Sequence, residues 1–441
     1  MHPKSEELFR KAQGYIAGGV SRNTLLRYPH PLYASNASGC RITDVDGFER
    51  IDFACNMASL IHGHAYPPIV KAVTEQVNRG TAFTLATEVE INLARHLCSR
   101  SKGFERVRFV NSGTEAVMAM LKVSRSFTGR SKIAKVEGSY HGAYDYAEVS
   151  QAPTPERWGA RDHPDSVALA DGTPQGILQD VVVLPFNDPV AAVKVLDAHA
   201  DQIAAVLLDL MPHRVGLIPA DPAYVQALSE WTRCNGSLLV LDEVITFRTE
   251  FGGMQERYGI QGDLTALGKI IGGGFPVGAI VGREDVMAAF KVGGGGPHVP
   301  QSGTFSANPI TMTAGLVAME AFGADEVARL NRLGQLARER IQQSIKSSGV
   351  PACVTGEGST FRIHLQAEAP TDYRSCYLTA RSKKALEQFV GLLADEGILL
   401  VYSAMGALST PMNEVEIETM AQAVLTSLRR IDPELLKTEL P

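Results

Sequence analysis

Ser237-Leu238-Leu239-Val240-Leu241-Asp242-Glu243-Val244 decides the fold: a near-continuous apolar run that stops at two carboxylates. Residues 181–184, 204–208 and 279–281 repeat the apolar pattern. Residues 106–110 (RVRFV) and 132–136 are short β-rich runs, and residues 114–127 read as a helix with Ala, Met and Leu on one side. Apolar runs of this kind suit strands buried on both faces, and helices between them imply parallel strand–helix–strand connections. The middle of the chain is therefore predicted to be an α/β domain.

The flanks read differently. Residues 324–347 form a long, charged amphipathic helix pattern, with strand-like pieces at 359–364 and 398–401 and a closing helix over 415–428. That pattern resembles a smaller α+β domain. The N-terminal piece has a helix from Ser5, a loop and an alternating run over 39–46, and is expected to pack with the smaller domain. The division expected is an N-terminal segment 1–52, a large domain 53–320 and a small C-terminal domain 321–441. Loop signals stand at 150–176, rich in Pro, Asp and Gly, and at 292–303, with four consecutive glycines.

The 441 residues are 45% apolar and 20% charged, with a net charge of -6. That is an ordinary balance for a globular protein, and its sign gives no attraction to nucleic acid or an anionic membrane. Six cysteines without CxxC or zinc-like spacing read as lone thiols of a reducing compartment. The charged N-terminus lacks the apolar core of a signal peptide, and no apolar run reaches the length of a bilayer. A cytoplasmic location is expected. No metal is expected either, because His62, His64 and His141 have no acidic or cysteine partner at ligand spacing.

Four short stretches carry chemistry. Asp242 stands where a buried strand ends, the edge at which open α/β sheets bind ligands. An acidic helix cap is the plainer alternative, and a nucleotide-site acid lacks the phosphate loop it would need. Lys269, in Leu267-Gly268-Lys269-Ile270-Ile271-Gly272-Gly273-Gly274, lies between apolar residues and glycines. An ordinary lysine is solvated, but desolvation makes one a nucleophile toward carbonyls, and glycines let a backbone approach a ligand. A strand-end Asp with a buried Lys is what pyridoxal phosphate requires: an imine-forming amine and a partner for the pyridine nitrogen. Asn111-Ser112-Gly113-Thr114-Glu115-Ala116 follows a strand and opens a helix, which makes either a phosphate site or a plain N-cap. Gly138-Ser139-Tyr140-His141-Gly142 offers an aromatic for a flat heterocycle, or is an ordinary turn.

Together, in this order and spacing, these stretches resemble the class III (subgroup II) aminotransferases of pyridoxal-phosphate fold type I. Gln301-Ser302-Gly303-Thr304-Phe305-Ser306 and Asn308-Pro309 match a further motif of that family, and the likeness runs from about Ile16 to the C-terminal helix. The resemblance implies a large domain with a mostly parallel seven-stranded sheet flanked by helices, and pyridoxal 5'-phosphate as cofactor. It implies that Lys269 is the Schiff-base lysine and catalytic acid/base, Asp242 the pyridinium partner and Val244 the side chain packed on the ring. Ser112, Gly113 and Thr114 resemble the phosphate cradle, and Tyr140, with His141 beside it, the stacking aromatic. Thr304 resembles a threonine that reaches the neighbouring subunit's cofactor, implying a homodimer with shared sites. Asp209 stands where the family usually has Glu-Pro; here Leu210 follows, and the acid is shorter.

Within the family the chain is similar to β-amino-acid aminotransferases and to glutamate-1-semialdehyde 2,1-aminomutases. Gly18-Gly19-Val20-Ser21-Arg22 resembles their substrate loop, in which the arginine would hold a carboxylate bidentately; a solvated surface arginine is the alternative. Ala404-Met405-Gly406-Ala407-Leu408 reads as a short site loop, with neither the arginine of the β-phenylalanine type nor the longer glutamate-bearing segment of the aminomutases. Met57 falls in a site-lining stretch where a polar or aromatic residue is common. The expected activity is amino transfer from an amine or β-amino acid to a keto acid by a ping-pong mechanism. The alternatives are the aminomutase reaction and a cofactor-binding protein without turnover.

Overall fold

The structure is a computed structural model and describes residues 2–293 and 298–437. Three of the four consecutive glycines therefore lie outside the described residues, as do the last four residues of the expected C-terminal domain. The chain forms two units. One comprises Met1–Pro67, Arg329–Ala369 and Tyr377–Pro441; the other comprises Pro68–Ala328 and Pro370–Cys376.

The first unit begins with helix Pro3–Gln13, whose start is capped from a distance. The Asp46 carboxylate accepts the Lys4 and Ser5 N–H groups at 2.8 and 3.1 Å. Strands β1 (Ala34–Ser38), β2 (Arg41–Asp44) and β3 (Glu49–Asp52) then form an antiparallel meander.

The second unit is built on seven strands: β4 (Arg106–Val110), β5 (Lys132–Val136), β6 (Val181–Leu184), β7 (Ile203–Leu208), β8 (Leu238–Asp242), β9 (Leu264–Gly268) and β10 (Gly278–Gly282). Their order is β4-β10-β9-β8-β7-β5-β6. Only β10 runs against its neighbours; the other pairings are parallel. This is the mostly parallel seven-stranded sheet expected. Every residue of β7 and β8 is buried, as strands covered on both faces must be. Helix Gly113–Thr128 returns from β4 and ends at Gly129, whose φ of 69° takes the left-handed cap. The loop read at 150–176 holds only an isolated bridge between Gly159 and Pro164 before helix Gln175–Gln179. Arg374 ties it down through the carbonyls of Trp158, Gly159 and Ala160.

Helix Ala324–Ser348 carries the chain back to the first unit. There β11 (Cys353–Thr355), β12 (Thr360–His364) and β14 (Met405–Ala407) form an antiparallel sheet, while β13 (Ile398–Leu399) pairs with β3. N- and C-terminal stretches thus share one four-stranded sheet. The segment read as a site loop, residues 404–408, is corrected here: it contains strand β14 and is buried, with Met405 at 3% and Leu408 at 0% exposure. Gly406 lies so close to the Phe361 ring that no side chain would fit. Cross-strand packing, not β-propensity, makes this segment a strand.

Candidate active site

Because β4, β5, β7, β8 and β9 are parallel, their carboxyl ends fall on one edge of the sheet, where such folds bind ligands. Ser112 follows β4, Tyr140 and His141 follow β5, Asp209 follows β7, Asp242 ends β8 and Lys269 follows β9. The fold gathers residues that are up to 157 positions apart in sequence, from Ser112 to Lys269.

Asp242 is held from two sides. His141 Nδ1 lies 2.8 Å from its Oδ2, and the Val244 N–H donates to Oδ1 at 3.1 Å. Burial lowers the His141 pKa against the opposing pull of Asp242. A neutral imidazole beside a carboxylate must carry its proton on Nδ1. The His141 Nε2 atom is then a buried acceptor, and it has no partner among the described residues.

Asp209 is also buried, with Met211 N–H donating to it at 2.9 Å. Burial, and then the charge of Asp242, raises its carboxyl well above the usual range. Asp209 is therefore biased toward its protonated form. Burial lowers the Lys269 ammonium pKa, while Asp242 and Asp209 oppose that shift. Lys269 also adopts φ 49°, a left-handed conformation that non-glycine residues seldom take. Two of the glycines after it are needed for packing within the chain. Gly273 faces the Ala314 carbonyl of helix Pro309–Ala321, and Gly272 faces Val277. Gly273 thus lets the helix approach the turn.

At the start of helix Gly113–Thr128 Ser112 is the N-cap. Its hydroxyl caps the helix, accepting from Glu115 N–H at 3.1 Å. The N–H groups of Gly113 and Thr114 have no intrahelical acceptor and remain for an anion. Thr114 Oγ1 accepts the Ala143 N–H at 3.3 Å, which pins the Tyr-His-Gly turn to the helix start. A Cβ on Gly113 would lie 2.9 Å from Val244 Cγ2, and one on Gly268 would lie 3.3 Å from Val244 Cγ1. Val244 thus wedges between the helix start and the strand end before Lys269. Tyr140 is 39% exposed and meets His213 edge-on at 5.6 Å. Thr304 and Phe305 are exposed.

Some contributors had no sequence signal. Lys135 is fully buried in β5, and its Nζ donates to the carbonyls of Ser139 at 3.1 Å and Val149 at 2.7 Å. It anchors the base of the turn carrying Tyr140 and His141, and burial pushes its pKa down to about 7. The buried Glu243 accepts from Met254 N, Gln255 N and Gln255 Nε2, and so organises a neighbouring turn.

Arg22 and Met57 lie in the other unit. Met57 belongs to Cys55–Ala58, a helical turn wound in the left-handed sense; such backbone costs about 1–2 kcal/mol per residue. Arg22 Nη1 donates to Asn56 Oδ1 at 2.8 Å. His62 Nδ1 bonds Thr410 Oγ1 and His64 Nε2 bonds Asp52 Oδ2. His2, Asp44 and Asp46 come within 4.8 Å of one another. The carboxylates of that group are engaged by Arg50 and by the helix start.

Residues 26–424 match the family model for aminotransferase class-III. The chain belongs to the class III aminotransferases. It is 38% identical to a glutamate-1-semialdehyde 2,1-aminomutase of Methanothermobacter thermautotrophicus over 403 residues, 90% of this chain and 91% of that one. Among solved structures, an omega-transaminase from Sphaerobacter thermophilus is 45% identical with a TM-score of 0.93, covering 96% of this aminotransferase and 97% of that chain. A beta-phenylalanine aminotransferase from Variovorax paradoxus is 32% identical with a TM-score of 0.84, covering 96% and 93%.

The cofactor of class III aminotransferases is pyridoxal 5'-phosphate. The residues present fit it: a desolvated lysine, a carboxylate locked by two donors, a helix start with free N–H groups, and a buried His141 Nε2 without a partner among the described residues. No helix among the described residues is long and apolar enough to cross a membrane.

Proposed function

We propose that this aminotransferase moves an amino group from an amine or β-amino acid to a keto acid in two separate half-reactions. The observation that carries this reading is its 45% identity with an omega-transaminase over 96% of the chain. Pyridoxal phosphate supplies an aldehyde that takes up amines and a protonated ring that withdraws electrons. Asp242, oriented by His141 and Val244, would present the fixed negative charge that keeps a pyridine nitrogen protonated. Lys269 would hold the cofactor and then take and return a proton at Nζ, a task suited to an amine whose pKa burial has lowered. Asp209 would donate a hydrogen bond from its retained proton. Gly113 and Thr114 N–H groups, with the Ser112 and Thr114 hydroxyls, would bind the phosphate. Tyr140 would cover one face of the ring and Val244 the other. Arg22 would take a substrate carboxylate, with Met57 nearby in its own unit lining the apolar part.

Thr304 would reach the site of a second copy in a homodimer. Its exposure beside Phe305 at 59%, and the exposed Leu85 at 81%, support a surface made for another chain. Among the described residues no disulfide joins the six cysteines, in keeping with a reducing cytoplasm.

The second reading, glutamate-1-semialdehyde aminomutase, is favoured by the 38% identical relative. One experiment separates the two. Purified holoenzyme is given each amine or β-amino acid donor with pyruvate, and glutamate 1-semialdehyde alone. Keto product from a donor, with parallel double-reciprocal lines, supports the transaminase. Isomerisation of the semialdehyde without a keto acid, and no product from any donor, overturns it.

A further inference from the structure

We propose that Asn56 is a specificity-determining positioning residue: from a left-handed turn, it holds Arg22 as an oriented and still fully charged cation for a substrate carboxylate. This rests on the carboxylate role proposed for Arg22. Four successive non-glycine residues, Cys55, Asn56, Met57 and Ala58, have φ of 44°, 47°, 59° and 64°. A run of this kind persists only where its surroundings over-determine it. Here the ends are fixed from several sides. Cys55 and Ala58 are each 2% exposed. The Cys55 N–H donates to Asp52 Oδ1 at 3.0 Å, and the other oxygen of Asp52 is held by His64 Nε2 at 2.8 Å. The turn closes through Ala58 N–H to Ala54 O and Ser59 N–H to Cys55 O, at 3.0 and 2.9 Å.

With both ends buried, the middle of the turn faces outward, and Asn56 is exposed. Asparagine is among the side chains that best tolerate this backbone. Its amide is used at both ends. Nδ2 donates to Ser59 Oγ at 3.1 Å, which turns Oδ1 toward Arg22 Nη1 at 2.8 Å. A neutral acceptor takes one of the five guanidinium donors and leaves the rest, with the whole charge, for a ligand. Among the described residues no carboxylate pairs with Arg22. An aspartate at position 56 would keep the hydrogen bond but neutralise the cation. The choice of an amide over an acid is thus what makes Arg22 a receptor rather than half of an internal ion pair.

The test uses holoenzyme and two donors of similar shape, β-phenylalanine and 1-phenylethylamine, which differ in the carboxylate. Half-saturation and maximal rate of the donor half-reaction are measured for wild type, Asn56→Gly, Asn56→Asp and Arg22→Ala. Asn56→Gly keeps the left-handed backbone and removes the side-chain amide, both the acceptor for Arg22 and the donor to Ser59. It is expected to raise half-saturation for β-phenylalanine about 10-fold, as losing a charge-assisted bond would, with 1-phenylethylamine within about 2-fold. Asn56→Asp is expected to weaken β-phenylalanine at least as much, and 1-phenylethylamine not at all. Rescue of β-phenylalanine binding by Asp, or equal loss for both donors, makes Asn56 merely structural and overturns the proposal. Arg22→Ala reports separately on the premise: if it leaves the two donors' ratio unchanged, the carboxylate role of Arg22 fails. If it abolishes the ratio while both Asn56 variants keep it, only the role of Asn56 fails.

Discussion

His141 Nδ1 lies 2.8 Å from Asp242 Oδ2, although the two residues are 101 positions apart. The pair joins the turn after β5 to the end of β8, across the intervening β7. It fixes which way the Asp242 carboxylate faces, and it does so with a neutral donor that does not cancel the charge. Both partners are buried, so the bond is not diluted by water.

Replacing His141 by Gln leaves Asp242 with one firm donor. The maximal rate is expected to fall about 10–100-fold, the worth of a hydrogen bond to a buried charge. Steady-state kinetics with saturating cofactor checks this; a loss below about 2-fold would remove His141 from the site. The same variant has a pH signature. Below about pH 6.5 an unfolded histidine binds a proton, while the buried His141 resists it. The unfolded state then holds more protons, so stability falls as pH drops. Melting temperatures between pH 7.5 and 5.5 are expected to decline less steeply in His141→Gln than in wild type.

Asp209 has the opposite sign. Its folded pKa is raised by burial and by Asp242, so the folded state keeps a proton that the unfolded chain releases above about pH 4. Its contribution is present at low pH and is lost as pH rises toward the folded value. Asp209→Asn is expected to melt higher than wild type at pH 8, with the gap closing toward pH 4. Thermal scans of the cofactor-free protein measure it. Equal melting curves across that range would mean that Asp209 is ionised in the fold.

Lys269→Ala removes the only lysine at this edge of the sheet that the sequence and the electrostatics both single out. Turnover is expected to drop by about 10³-fold or more, as loss of a positioned proton-transfer group does. The visible absorbance of the bound cofactor is expected to disappear on gel filtration. Retained absorbance together with retained turnover would place the chemistry on another residue.

Gly113→Ala pushes a methyl group to within 2.9 Å of Val244 Cγ2. Overpacking of this kind costs about 1–3 kcal/mol. It would displace Val244 and the helix start together, so weaker cofactor retention is expected. Val244→Ala should restore part of it in the double variant, and a cofactor-dissociation assay over the four proteins of the cycle reads the coupling. Additive effects would show that Gly113 and Val244 act independently.

Local pattern determined much of this protein. Apolar runs such as residues 237–241 had to become covered strands, and parallel strands had to end on one edge. Asp242 is thereby placed at a ligand-binding edge, and the family resemblance joins Lys269, Ser112, Tyr140 and Asp209 to it. Only the tertiary structure decided the rest, because each remaining feature depends on a partner far along the chain. Residues 405–407 are a strand because Phe361 lies against Gly406. Gly273 meets a helix because Ala314 is there. Cys55–Ala58 winds left-handed where Asp52 and His64 hold its start. Lys135 is a clamp because Val149 and Ser139 return to it. Periodicity and turn chemistry act over a few residues and can be read in order; the choice of partner is settled by long-range packing, which a single sequence does not display.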